Sequence, residues 1–359
     1  MSAPYETILE VSIKRLIKNF DYLKAKLNSN TKIIAVVKAY AYGHGDVIIA
    51  KNLESLGAYA LWVADFEEGT QLRKSGIKIP IIIANPGRKS TKQILKNKLD
   101  VVIHNFDLLK IYGKTEQDIN IHIKFNTGMN RYGFNTNDSN QIIKELNKYP
   151  NLNVASLCSH LIASEDPTKD KITKQQFNLF EKTCDLFITL LGHKVDRHIL
   201  NSFGVLRFAH KEYEMVRLGI GLYGGIDYKN IKQIASFKSV VTDIKEVQKG
   251  KSIGYNAAFT AEKNIRVGII PLGYADGLNR KLGEGNGIVL INKTPCKIIG
   301  KISMDSCAVN LPNSNIKIGD QVIIFGDENP INSISKKLET IPYEIYATIN
   351  RRIQRIYEA

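Results

Sequence analysis

Apolar residues along the first two-thirds of the chain come in short runs separated by segments of helical spacing. Eight runs have strand character: 32–37, 60–64, 80–84, 100–104, 120–125, 155–160, 198–201 and 215–218. Between them, Ile13, Leu16, Ile17, Phe20 and Leu23 predict an amphipathic helix that Ser12 can cap. Phe177, Phe180, Cys184, Phe187 and Leu191 predict a second helical face, and Ile142, Ile143 and Leu146 a third. Strand alternating with helix predicts a parallel sheet. Eight strands over about 220 residues match the count and size of a (β/α)8 barrel. An open doubly wound sheet fits less well, because no GxGxxG follows an early strand. From about residue 235 the runs shorten and glycines punctuate them, at 240–247, 266–270, 287–290, 297–299 and 321–325. That texture predicts a mostly β domain, interrupted by one helix with Thr340 as cap and Pro342 in its first turn. The expected fold is α/β: a TIM-like barrel over residues 1–235, then a smaller, mostly β domain over residues 236–359.

Composition changes this picture little. Hydrophobic residues make up 43% and charged residues 24% of 359, which excludes a disordered chain or a rod. The net charge of +15 comes from scattered lysines. It suits a surface that attracts small anions better than one that binds nucleic acid, since no basic stripe with interleaved aromatics is present. Cys158, Cys184, Cys296 and Cys307 lack CxxC spacing, so neither a disulfide framework nor a metal site is expected, and a reducing compartment is. With no signal-peptide pattern at the start and no apolar run of membrane-spanning length, the expectation is a cytoplasmic protein without a membrane partner.

A barrel of this kind carries its active site at the C-terminal ends of its strands. Lys38 follows the first run, Lys124 ends the fifth with Arg131 after it, His160 ends the sixth, and Arg217 lies in the eighth. So many cations are an unusual choice for a structural core, and they predict an anion-binding mouth. Asn201-Ser202 and Gly219-Ile220-Gly221 follow runs seven and eight, where this fold usually cradles phosphate. A phosphate cradle together with a lysine at a strand end suggests pyridoxal phosphate held through that lysine. In the fifth run one parity is apolar and the other is His122, Lys124 and Asn126. The polar parity is expected to face the barrel mouth rather than the outer helices.

The segments VVKAYAYGHG, IKFNTGMNRYG, SHLIASED, NSFG, VRLGIGLYG, GYNAAF, GYADG, ISMDS and PYEIYATINRRI resemble, in order, the signature stretches of the alanine racemase family. The resemblance implies a homodimeric isomerase that interconverts L- and D-alanine with pyridoxal phosphate and supplies D-alanine for peptidoglycan. It implies Lys38 as the cofactor lysine and one catalytic base, and Tyr255 as the opposite base, reaching the active site of the other subunit. A tyrosine works as a base near neutrality only with cations beside it. Tyr42, Ser202, Gly219, Ile220 and Tyr343 would hold the phosphate, with Asn201 close by. Arg217 would meet the pyridine nitrogen, and His160 would link Arg217 to Tyr255. Arg131 would serve cofactor and substrate carboxylate, the backbone at Met304 would also hold that carboxylate, and Tyr274 would narrow the entrance. Lys124 matches a lysine that is often carboxylated in the family. Tyr40, Asn126 and Asn256 depart from the usual family residues. Rival expectations are a broad-specificity or serine racemase of the same fold, and a non-catalytic pyridoxal-phosphate carrier.

Overall fold

The computed structural model describes residues 5–358. The chain divides into two compact units: residues 20–41 with 46–222, and the chain up to Asn19 with Tyr42–Gly45 and everything from Tyr223 onward.

The first unit holds eight parallel strands: β2 (Lys32–Val36), β3 (Ala60–Val63), β4 (Ile81–Ile83), β5 (Asp100–Ile103), β6 (Ile119–Lys124), β7 (Leu152–Cys158), β8 (Asp196–His198) and β9 (Met215–Leu218); β1 belongs to the other unit and is described below. They run in the order β8-β7-β6-β5-β4-β3-β2-β9. The Arg217 amide donates to the Leu200 carbonyl at 3.0 Å just beyond β8, which closes the ring. The result is a (β/α)8, TIM-like barrel. Its strands read as apolar runs because helices cover their outer faces. The helix Asp170–Leu191 turns Phe177, Phe180, Cys184 and Phe187 inward, and Phe187 meets Phe125 edge to face at 5.7 Å.

On β6 the apolar parity is buried, whereas the polar parity is mixed: Asn120 is exposed, His122 is enclosed, and Lys124 and Asn126 are half-buried. Ile121, Ile123 and Phe125 are covered, and His122 is equally enclosed. Hydrogen bonding, rather than solvent, satisfies the His122 ring at Nδ1.

The second unit is a nine-stranded sheet in the order β11-β14-β17-β16-β15-β18-β10-β1-β19. Its strands are β1 (Ile8–Ser12), β10 (Ala235–Val240), β11 (Asp243–Val247), β14 (Ile265–Ile270), β15 (Ile288–Ile291), β16 (Thr294–Ile299), β17 (Cys307–Leu311), β18 (Gln321–Phe325) and β19 (Gln354–Glu358); β12 (Ser252–Ile253) and β13 (Phe259–Thr260) form a separate ribbon. The sequence groups residues 5–19 with the barrel, but β1 pairs with β10 and β19, which buries Leu9 and Val11. The expected strand 240–247 is two strands. At Val241 and Thr242 the chain leaves β18 and takes up β14, so one extended run changes partners midway.

Two helices interrupt this domain where one was expected, Ile331–Leu338 and Pro342–Thr348. The first follows Pro330 and buries Ile331, Ile334 and Leu338. In the second, Ile341 occupies the cap position, and Thr340 binds the Glu344 carboxylate instead of a backbone amide. Among the described residues no helix is long and apolar enough to cross a membrane.

The helix Asp170–Leu191 supplies a test of the packing. Phe187 is fully covered and Leu186 is 44% exposed. Phe187→Ala should cost about 3–5 kcal/mol, and Leu186→Ala no more than about 0.5 kcal/mol. Urea unfolding of the two variants checks the contrast.

Candidate active site

In the barrel unit, Lys38, Lys124, Arg131, His160 and Arg217 converge at the C-terminal ends of the strands, close enough to perturb one another electrostatically. Surrounding protein lowers the Lys38 pKa, Arg131 and Arg217 lower it further, and Glu68 acts in the opposite direction. The Lys38 side chain is still reachable from solvent, as befits an amine at the floor of an open mouth. Burial is also the main reason that Lys124 falls to about 8, with Arg217, Arg131 and Lys38 adding to the effect.

Lys38 leads a turn of uncommon conformation. Ala39, Tyr40, Ala41 and Tyr42 all have φ between 51° and 57°, a left-handed helical turn without a glycine. Such a turn costs roughly 1–2 kcal/mol per residue, so its surroundings must impose it. Glu68 is one restraint: Oε1 accepts from the Ala39 amide at 2.7 Å and Oε2 from the Ala64 amide at 2.8 Å. Burial raises the pKa of that carboxyl while its two amide bonds lower it. Sequence inspection did not single out Glu68, because a glutamate in the first turn of a helix is ordinary.

Arg131 rides on the loop after β6. Asn126 organises this loop by accepting from the Gly128 and Asn130 amides at 3.1 and 3.0 Å. Its own amide donates to Asn130 Oδ1 at 2.9 Å. A carboxylate could not make that last bond, so the departure at Asn126 has a local use. Gln176 joins this loop to the next, donating to Thr127 Oγ1 and to the His160 carbonyl.

Arg217 is the buried centre of the unit. Nη2 donates to His160 Nδ1 at 3.1 Å and to the Ser159 carbonyl at 2.6 Å, and Nη1 donates to His198 Nδ1. Burial foremost, and then Arg217, push both histidines well below the ordinary value, so they are neutral near pH 7. His198 was seen in the sequence only as the start of a strand.

Beyond β8, Asn201 Oδ1 accepts from the Gly204 amide at 2.8 Å and caps the helix Ser202–Phe208. Ser202 Oγ accepts from the Gly219 and Gly221 amides at 2.9 and 3.2 Å, which gathers Ser202, Gly219 and Ile220 into one cradle. With both lone pairs engaged, the Ser202 hydroxyl has its own proton left to donate.

The remaining candidates lie in the β unit. Tyr42 and Tyr343 pack at a tilt of 49° with ring centroids 5.7 Å apart. Burial raises the Tyr42 pKa, so it stays a phenol and a hydrogen-bond donor. Gly43 and Gly45 of the AYGHG segment are required here. A Cβ on Gly43 would fall 2.0 Å from the Tyr346 carbonyl oxygen, and one on Gly45 would fall 1.8 Å from the Tyr357 hydroxyl. Tyr274 and Met304 are neighbours through the Ala275 amide, which donates to the Met304 carbonyl at 3.0 Å. Arg352 braces them by bridging Asp276 and Asp305. Tyr255 is 68% exposed and is flanked by Gly254, Asn256 and Ala257, all at positive φ.

These residues fit pyridoxal phosphate. The set offers an amine of lowered pKa, the Ser202 hydroxyl proton as a donor for a phosphate, and a donor-only guanidinium held by carbonyl and imidazole acceptors. Glu68→Ala should free the Ala39 and Ala64 amides and raise their hydrogen-exchange rates by about 10-fold or more, the effect of losing a bond to a charged acceptor. Site-resolved exchange measures it.

The comparisons agree with this architecture. The family model described as alanine racemase, N-terminal domain, matches residues 11–227, and that described as alanine racemase, C-terminal domain, matches residues 234–357. Alanine racemase 2 of Caldanaerobacter subterraneus subsp. tengcongensis is 33% identical, over 98% of this chain and 94% of its own. The solved alanine racemase of Clostridium difficile 630 superposes with a TM-score of 0.93 at 30% identity, covering 99% of this chain and 97% of that one. Alanine racemase from Bartonella henselae, with covalently bound pyridoxal phosphate, gives a TM-score of 0.90 at 26% identity, over 99% and 100% of the two chains. The chain therefore belongs to the alanine racemase family of pyridoxal-phosphate-dependent isomerases.

Proposed function

We propose that this chain interconverts L- and D-alanine with two bases on opposite faces of the substrate, Lys38 and Tyr255. The observation that carries the proposal is Lys38 itself, an amine of lowered pKa set among guanidinium groups at the barrel mouth. When bound, pyridoxal phosphate acidifies the Cα–H of an attached amino acid by drawing electrons into its ring. Lys38 Nζ then takes or returns the proton on one face, and Tyr255 Oη of the partner subunit does so on the other. Arg217 would meet the ring nitrogen; being donor-only, it would keep its own proton. Ser202, Gly219, Ile220, Tyr42 and Tyr343 hold the phosphate, with Asn201 fixing the cradle. Arg131 and the backbone at Met304 take the substrate carboxylate, His160 links Arg217 to Tyr255, and Tyr274 narrows the entrance.

The enzyme acts as a homodimer with shared sites. In support, Tyr255, Tyr274, Met304 and Ile341 of the β unit are all 43–68% exposed, an apolar and aromatic set suited to burial against a second copy. Four free, buried cysteines support a cytoplasmic setting, where the D-alanine would serve peptidoglycan assembly.

Lys38→Ala should abolish the visible absorbance of bound cofactor. Tyr255→Phe should retain it and slow turnover of L-alanine by about 100-fold or more. Chiral analysis of the products, with L-serine run alongside, is the test. Unchanged turnover in Tyr255→Phe refutes the two-base mechanism, and comparable D-serine moves the reading to a broad-specificity racemase.

Lys124 carries a carboxylated amine in this proposal. Only a neutral amine attacks CO2, and a pKa of about 8 supplies one. In 13C-bicarbonate the carbamate signal should therefore grow between pH 7 and 9, and Lys124→Arg should lack it.

A further inference from the structure

TIM-like barrels usually fill their interiors with layers of branched apolar side chains. Here half of the interior carries a polar belt to which five consecutive strands each contribute one residue: Asp100 from β5, His122 from β6, Ser156 from β7, His198 from β8 and Arg217 from β9. His122 Nδ1 lies 2.6 Å from Ser156 Oγ, and Ser156 Oγ lies 3.0 Å from His198 Nε2. His198 Nδ1 meets Arg217 Nη1. At the far end His122 Nε2 has no hydrogen-bond partner and stands 3.9 Å from Asp100 Oδ2. His122, Ser156, His198 and Arg217 are all at most 5% exposed.

The bond directions can be followed outward from Arg217. A guanidinium donates and cannot accept. His198 Nδ1 must therefore accept, which puts the ring proton of the neutral histidine on Nε2. That proton is given to Ser156 Oγ. The serine hydroxyl then donates to His122 Nδ1, and the His122 proton sits on Nε2, facing the Asp100 carboxylate. Among neutral forms, only this arrangement gives the Ser156 proton an acceptor within the belt and turns an N–H rather than a lone pair toward Asp100. The belt cannot conduct protons to Arg217, because the guanidinium does not exchange its charge near neutrality. Its use must be static.

We propose that Asp100, His122 and Ser156 are positioning residues that lock His198 in its Nε2–H form, so that a lone pair always faces Arg217. The opposite tautomer would set N–H against N–H and push the guanidinium out of register. A protonated His198 would add a second buried cation beside the first. Asp100 supplies the carboxylate end, and it lines an open groove of about 770 Å³ together with Arg73, Lys78, Lys98, Asp118 and Asn120. The inference rests on the proposal that Arg217 serves the cofactor's ring nitrogen.

The test is long-range 1H–15N spectroscopy of the 15N-histidine-labelled holoenzyme. His122 and His198 should both appear as neutral Nε2–H rings. An Nδ1–H or doubly protonated His198 overturns the proposal without any variant having to fold. In Ser156→Ala the His198 signal should shift toward the Nδ1–H form. The KM for alanine should stay within about 2-fold while kcat falls about 10-fold, the usual scale for a group that orients its neighbour. Ser156→Thr, which keeps the hydroxyl, should restore the tautomer. A folded Ser156→Ala with an unchanged tautomer or an unchanged kcat overturns the positioning role. A holoenzyme with the expected tautomers that racemises no alanine would sink the proposed function and leave the belt intact.

Discussion

The buried charge of Arg217 constrains everything around it. Two unit charges 4 Å apart in a protein-like medium interact by about 4 kcal/mol, so groups near a guanidinium without a carboxylate partner must avoid becoming cations. His198 and His160 do so by staying neutral, and Lys38 and Lys124 by releasing protons more readily. The guanidinium is held by carbonyls and imidazole nitrogens, all acceptors without full charge. Such an environment favours neutral amines and anionic ligands together. Cofactor capture and proton transfer both need that combination.

Backbone strain is the second constraint. The left-handed turn from Ala39 to Tyr42 is costly in isolation and persists because its ends are pinned. Glu68 holds the Ala39 amide, and the Gly43 carbonyl accepts from Arg355. The AYGHG segment is therefore a structural specification as much as a chemical one, since Gly43 and Gly45 leave no space for a Cβ.

The two units use polar residues differently. In the β unit Tyr255, Met304 and Tyr274 remain exposed, although side chains of this size are normally covered. Their supports are firm: Arg352 ties two carboxylates beneath Tyr274 and Met304. In the barrel unit His122, Ser156, His198 and Arg217 are drawn inward and linked to one another by hydrogen bonds. A half-satisfied polar interior would be worse than an apolar one, which is why Ser156 between two histidines carries more weight than its size suggests.

By itself the sequence determined the periodicities, and through them the eight-stranded barrel, the change of texture near residue 235 and the strand-end cations. These follow from local spacing, because burial on a strand or helix face repeats every two or 3.6 residues. The resemblance supplied a role for each candidate position. Only the tertiary structure decided that β1 leaves the barrel for the β sheet, that residues 240–247 split between two partners, and that His122, Ser156 and His198 form one chain with Arg217. Each of these depends on which strands become neighbours. Strand pairing joins residues far apart in the chain, as Ile8 with Lys238 or His122 with Ser156. A periodic pattern records only which face is covered, and carries no information about what covers it.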